Sequence, residues 1–232
     1  MGTFAEALQQ ALSLIISLDP TVVEIMVRSL RVALTALSIA TLIGVPVGTW
    51  LALTNFPLKS IATAIIYTGM GLPPVVVGLV VYLILSRSGP LGELGWLFTP
   101  RAMITAQAII ATPLIAGVTM SSILGVDANL RPQLRMLGAT RWQVTLAVLS
   151  EAKFGVIVGT VVGLGRVIAE VGAVMLVGGN IDGKTRVMTT AIVLETRRGN
   201  FDLALALGII LLTIAFLLNF ALVRLQGRAI TV

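Results

Sequence analysis

Four stretches of this chain, residues 32–58, 60–86, 102–126 and 203–223, contain no Asp, Glu, Lys or Arg. Each exceeds the roughly 20 apolar residues that cross the ~30 Å hydrocarbon core of a bilayer as a helix. A fifth, 154–177, is equally apolar apart from Arg166 and Glu170. A chain with five such runs has no way to cover itself with polar surface. Only 26 of its 232 residues are charged, 57% are hydrophobic, and the mean hydropathy is +1.03. A water-soluble fold and intrinsic disorder are both excluded. The short alternating segments of an outer-membrane barrel are absent. The pattern predicts an all-α integral membrane protein with five transmembrane helices at about 30–53, 61–86, 102–124, 154–177 and 203–224.

The N-terminus reads differently. Phe4, Leu8, Leu12, Ile15 and Ile16 recur at helical spacing with Glu6, Gln9, Gln10 and Ser13 between them. With no basic lead and no small-residue cleavage site, residues 1–18 read as an interfacial amphipathic helix rather than a signal peptide. Asp19-Pro20 has the form of an N-cap followed by proline at the first helical position. Glu24, Arg28 and Arg31 then form a polar stripe, expected at the membrane surface ahead of the first span.

Cys and His are both absent, which removes disulfides, Cys/His metal sites and most nucleophile–base pairs of soluble enzymes. No catalytic or metal-binding residue is expected. The net charge of +6 is spread along the chain and does not point to nucleic acid.

Two spans carry helix breakers. Gly44-Val45-Pro46-Val47-Gly48 interrupts the first and Gly69-Met70-Gly71-Leu72-Pro73-Pro74 the second. Proline frees a carbonyl that lipid cannot satisfy, so these places should face the bundle or line a cavity. They are packing kinks or transport elements. Gly155, Gly159 and Gly163 form a small-residue ladder on the fourth span. Arg166 and Glu170 continue that face, on the glycine side and away from lipid. The two either pair with each other or line a path, since intramembrane charge is costly.

Residues 178–185, GGNIDGKT, fit the phosphate-binding pattern G-x-x-x-x-G-K-[ST]. That pattern works at a strand-to-helix turn in a parallel sheet. Here it follows a membrane helix, with no segments left to build a sheet, so nucleotide binding is not expected.

The longest polar interruption is 125–153, helix-competent, with basic residues at 131, 135, 141 and 153. Its apolar positions Leu134, Leu137, Val144 and Val148 could enter a partner's groove. With Gly71-Leu-Pro-Pro-Val-Val-Val-Gly78, Gly125-Val-Asp127, Leu137-Gly-Ala-Thr-Arg-Trp142, Gly165-Arg166 with Glu170-Val-Gly-Ala173, and Gly179-Asn-Ile with Gly183, Thr185 and Arg186, the chain resembles the membrane-spanning permease subunits of ABC importers. Within them it is most similar to the molybdate/tungstate/sulfate oxyanion group, at its tungstate-uptake end. In that group's pattern a variable residue stands where Lys184 falls. The resemblance covers about residues 22–224. Two pieces of the wider family's cytoplasmic signature differ: Pro132-Gln133-Leu134 replaces Glu-Ala-Ala, and Val148-Leu-Ser150-Glu151 replaces Ile-x-Leu-Pro.

The resemblance implies the ABC importer permease fold and a homodimer with an oxyanion path on its two-fold axis. It also implies an external oxyanion-binding protein and a cytoplasmic ATPase dimer that holds the ATP and Mg. This chain itself would bind no cofactor. Residues Arg135, Leu137, Gly138, Ala139, Thr140, Arg141 and Trp142 would form the ATPase-coupling segment. Pro73, Pro74, Arg166, Glu170, Thr185, Arg186, Thr189 and Thr190 are candidates for the path or its gate, with Lys184, Arg197 and Arg198 able to steer an anion. A cytoplasmic coupling loop puts the N-terminus outside. Charge bias alone does not decide, with seven basic residues on that cytoplasmic side (59, 131, 135, 141, 153, 224, 228) and eight outside (28, 31, 87, 101, 184, 186, 197, 198). The competing class is an ATP-independent channel or carrier, against which stands the lack of an inverted repeat.

Overall fold

The computed structural model describes residues 4–230, with side chains to residue 224. Residues 1–3 of the expected N-terminal helix and the Arg228 side chain lie outside the described residues. Those described form helices and no strands.

Helix α1 (Phe4–Ile16) is followed by Asp19, whose carboxylate accepts the amides of Thr21 and Val22 and starts α2 (Pro20–Leu53). The cap is where the sequence puts it. The helix is longer than expected, 34 residues and ~51 Å, because Glu24, Arg28 and Arg31 are part of it. Pro46 does not interrupt it either. Gly44 and Gly48 press α2 against α5 (Pro100–Leu124), where a Cβ on Gly44 would meet the Thr112 carbonyl at 3.0 Å and one on Gly48 the Ala116 backbone. Small residues allow this close backbone approach, and the helix continues through Pro46 beside it.

The expected second span is two helices, α3 (Lys59–Met70) and α4 (Pro74–Leu85), bent by 101°. Pro73 and Pro74 take the N-cap and first-turn positions of α4, where proline fits without loss. A short 3-10 turn (Gly92–Leu94) leads into α5.

After α5 come α6 (Leu130–Met136) and α7 (Arg141–Glu151), then α8 (Lys153–Ile168), bent by 66° from α7. The expected fourth span is also broken. α8 stops at Ile168, and α9 (Gly172–Gly178) begins after a three-residue gap that contains no proline. α10 (Met188–Arg198) and α11 (Phe201–Ile230) complete the chain. Three helices (α2, α5 and α11 to Arg224) are long and apolar enough to cross a membrane, and the pairs α3–α4 and α7–α8 qualify if each counts as one bent span.

α5 sits at the centre. Buried Ala106, Ile110 and Ala111 meet α2, α4, α8 and α9 through two apolar clusters. Gly155, Gly159 and Gly163 of α8 lie against Ser122, Val118 and Ile115 of α5, so the small-residue ladder packs as its spacing predicts. Helix α1 lies against α11, with Ala11 fully buried and Leu14 and Ile15 packed beside it. Its other apolar edge, Phe4, Leu12 and Ile16, stays exposed. The helix thus has two apolar edges rather than one.

Candidate functional site

Arg166 and Glu170 do not pair. Four residues apart they would share a face of a continuous helix, but α8 ends between them. Glu170 is 5% exposed. Its Oε1 accepts the amide of Ala173 at 2.9 Å, capping α9, and its carbonyl accepts the Thr189 hydroxyl at 2.9 Å. Gln107 of α5 donates to the Val167 carbonyl at 3.1 Å, on the other side of the same break. The break therefore holds its own polar contacts, as a helix interruption inside a membrane requires.

Arg166 is left alone. It shares an exposed stripe of α8 with Val162, Gly165 and Ala169, bordering the glycine ladder. Among the described residues it has no ion-pair or hydrogen-bond partner. Pro73 is exposed and Pro74 half-buried at the α3–α4 bend.

The loop 179–187 is folded on itself. Thr185 is fully buried; its hydroxyl donates to the Gly178 carbonyl at 2.6 Å and accepts the Ile181 amide at 2.9 Å. The Ile181 carbonyl collects the amides of Lys184, Thr185 and Arg186. Gly179 and Gly183 take positive φ angles of 70° and 67° to allow the turns. The loop's amides thus point at its own carbonyl, and the segment before it is a helix, so the phosphate-loop pattern is only a pattern. Thr190 is buried and exchanges hydrogen bonds with Val187 at the start of α10. Thr189 is engaged by Glu170. These three threonines, expected at a gate, hold the loop and the break together through hydroxyls turned into the protein.

Arg186 is mostly buried, with Nη1 3.1 Å from Asp182, while its carbonyl accepts Arg28 at 3.2 Å. Arg28 also pairs with Glu24. Arg198 pairs with the buried Glu195 at 3.1 Å. Lys184 and Arg197 are exposed.

At the opposite end, α6 and α7 meet at an exposed turn. Gly138 has φ +81°, a conformation that favours glycine, and open space around it. Thr140 and Gln143 form a reciprocal capping box that starts α7. Arg135, Leu137, Gly138, Thr140, Arg141 and Trp142 are exposed, with Leu137 at 83%. Ala139 packs inward. So do Leu134, Val144 and Val148, which join Leu51, Met120 and Ile123 in a core cluster. Of the four apolar positions expected to face a partner, only Leu137 is exposed. Met136 beside it is also exposed, at 80%, which one methionine in a polar segment does not signal. No group of acidic side chains among the described residues could hold a metal ion.

The structure thus has two broken helices, α3–α4 and α8–α9, and an exposed α6–α7 turn with Gly138 at positive φ. Residues 44–231 match the family described as the binding-protein-dependent transport system inner membrane component, and the chain belongs to that family of ABC importer permeases. It is 41% identical over 226 residues to the tungstate uptake system permease protein TupB of Peptoclostridium acidaminophilum, covering 97% of this chain and 99% of that one. It is 42% identical over 211 residues to a probable anion ABC transporter permease protein of Haloferax volcanii, covering 89% and 91%. Its fold matches a chain of the inward-facing MetNI methionine ABC transporter with a TM-score of 0.73 at 19% identity, covering 88% and 94%. As an importer permease of the inner membrane it works with a separate ATPase and a substrate-binding protein.

Proposed function

We propose that this chain forms the path of an ATP-driven importer for a tetrahedral oxyanion, tungstate in the first place, as a homodimer. The unpaired Arg166 on the exposed stripe of α8 carries this reading. An arginine without a counter-ion in an apolar span is costly unless it faces water or an anion. A two-fold partner would place two such groups on a shared axis. Multiple weak contacts suit a path from which the anion must leave again.

In this arrangement α2, α3–α4, α5, α8 with α9, and α11 supply five crossings, and α1 lies at the outer surface. The N-terminus is outside and the α6–α7 turn is cytoplasmic. That turn, from Arg135 to Trp142, seats in a cleft of the ATPase, with Met136 and Leu137 as its apolar contacts. Residues 179–198, rich in cations, face the oxyanion-binding protein.

The test is to tag the chain, solubilise it mildly from its own membrane and identify what co-purifies by mass spectrometry. A stoichiometric cytoplasmic ATPase is expected with the native chain and is lost with Gly138→Val, whose β-branched side chain disfavours the +81° φ. Recovery of the chain alone from an otherwise intact complex would favour an ATP-independent anion channel. Uptake of labelled tungstate against molybdate by the same cells then settles the anion.

A further inference from the structure

Gln107 of α5 is 5% exposed, and only half of its amide is engaged. Nε2 donates to the Val167 carbonyl at 3.1 Å. That bond fixes the orientation of the amide, since the flipped group would set one acceptor oxygen against another. Oε1 is left buried and without a partner among the described residues. A buried acceptor in that state carries its full desolvation penalty, and native structures seldom leave one unanswered.

Gln107 lines a cavity of about 10 Å³ where α2, α5, the end of α8 and the start of α10 meet, with Ser29, Ile168, Met188 and Thr189 also on its wall. The polar groups there are acceptors with no proton to spare. Ser29 gives its hydroxyl proton to the Ile25 carbonyl at 2.7 Å, and Thr189 gives its own to the Glu170 carbonyl. The Met188 amide is already spent on Ser29 Oγ at 2.7 Å. The carbonyl of Ile168, the last residue of α8, accepts no bond among the described residues. One water needs about 10–15 Å³ and two to four polar partners. The cavity has the size and the acceptors for a single molecule that brings two protons.

We propose that this is a binding site for one structural water, which donates to Gln107 Oε1 and to the Ile168 carbonyl. Hard metal ions take more oxygens than these and favour carboxylates, whereas this set is neutral. Both halves of the Gln107 amide then hold the end of α8, one directly through Val167 and one through the water. A water can pass its proton from one carbonyl to a neighbouring one without leaving either group bare, so the joint survives a small shift of α8 against α5. The site is independent of what the chain transports.

The experiment exposes the full chain, purified in detergent, to a brief X-ray pulse that splits water into hydroxyl radicals where the water sits. A radical formed at a bound water reacts with its immediate neighbours, methionine foremost, before it can diffuse. Met188 borders the cavity and is 2% exposed; Met120 of α5 is 1% exposed and does not border it. Peptide mass spectrometry should find Met188 oxidised several-fold faster than Met120. Hydrogen peroxide, which has to enter from bulk solvent, should spare the two alike. Gln107→Leu removes the acceptor and leaves an apolar wall, which stays dry, so Met188 should fall to the Met120 rate. Equal radiolytic rates in the native chain would overturn the proposal, and that comparison needs no variant to fold. So would preferential oxidation of Met188 by peroxide, which would mean open access, or a fast Met188 rate that survives Gln107→Leu.

Discussion

Gly78 lies where α4 crosses α9. A Cβ added there would come within 2.6 Å of the Ala173 Cα and 3.2 Å of both Ala173 Cβ and Leu176 Cδ1. Ordinary contact begins at 3.4 Å, so Gly78→Ala is about 0.8 Å short of room, and the nearest obstacle is backbone. The helices must separate, since no rotamer relieves the clash. A radial gap of that size forfeits about a quarter to a half of each affected dispersion contact, among them those of the buried Val77, Val81, Ala173, Val174 and Val177. Overpacking costs about 1–3 kcal/mol, and a backbone obstacle belongs at the upper end. Alanine returns about 1 kcal/mol of helix propensity, leaving a net loss of about 2 kcal/mol, or about 4–8 °C in Tm for a chain of this size. Two comparisons bracket it. At Gly44 the nearest atom is 3.0 Å away, a shortfall of about 0.4 Å, so Gly44→Ala should come out near neutral. Gly208 has nothing within 4 Å, so Gly208→Ala should gain up to about 1 kcal/mol. Thermal unfolding of the purified chain in detergent, followed by circular dichroism, measures all three. Equal melting of Gly78→Ala and Gly208→Ala would refute the reasoning.

Thr185→Val should destabilise by about 1–3 kcal/mol, because it strands the Ile181 amide and removes a donor from the Gly178 carbonyl, whereas Thr185→Ser keeps both bonds; detergent melting of the pair separates them. Glu170→Ala should cost a similar amount and Glu170→Gln less, since the amide oxygen still accepts from Ala173. Equal losses in the two would show that the capping bond is not what holds α9. Arg166→Ala should lower labelled oxyanion uptake with the complex intact by gel filtration, and uptake at the native rate would remove Arg166 from the path.

The breaks show what one dimension can and cannot carry. Asp19-Pro20 was readable as a cap because capping is local, and Pro73-Pro74 as an interruption because proline acts on its own backbone. Pro46 misled for the complementary reason: its missing bond is tolerated where Gly44 and Gly48 let α5 clamp α2. The gap at 169–171 had no local marker at all. It is held by Glu170 and Thr189, 19 residues apart, and reading one continuous helix through it left pairing of Arg166 with Glu170 open as one of two readings. In the α6–α7 segment the apolar residues were visible but their direction was not. Leu134 and Val144 are separated by a turn, so no single helical period runs through both. The motif glycines were recognisable as a pattern, while the reason for Gly78, one Cα of α9, lay 95 residues away.

The gap between α8 and α9 divides what looks like one crossing between two owners. α8 is laid against α5 by its glycines, and α9 is held to α4 at Gly78. α8, 16 residues long, is a rod of ~24 Å, and its lower end continues through a 66° elbow into α7. A tilt of about 5° at that elbow would displace the far end by ~2 Å at ~24 Å length, where Leu164 and Val167 pack on α2 and α5 and Gln107 and the Glu170–Thr189 contact supply the hydrogen bonds at the break. A small rotation of α7 thus arrives as a sliding of two carbonyl contacts at the level of Arg166, much as a crank turns a short angle into travel.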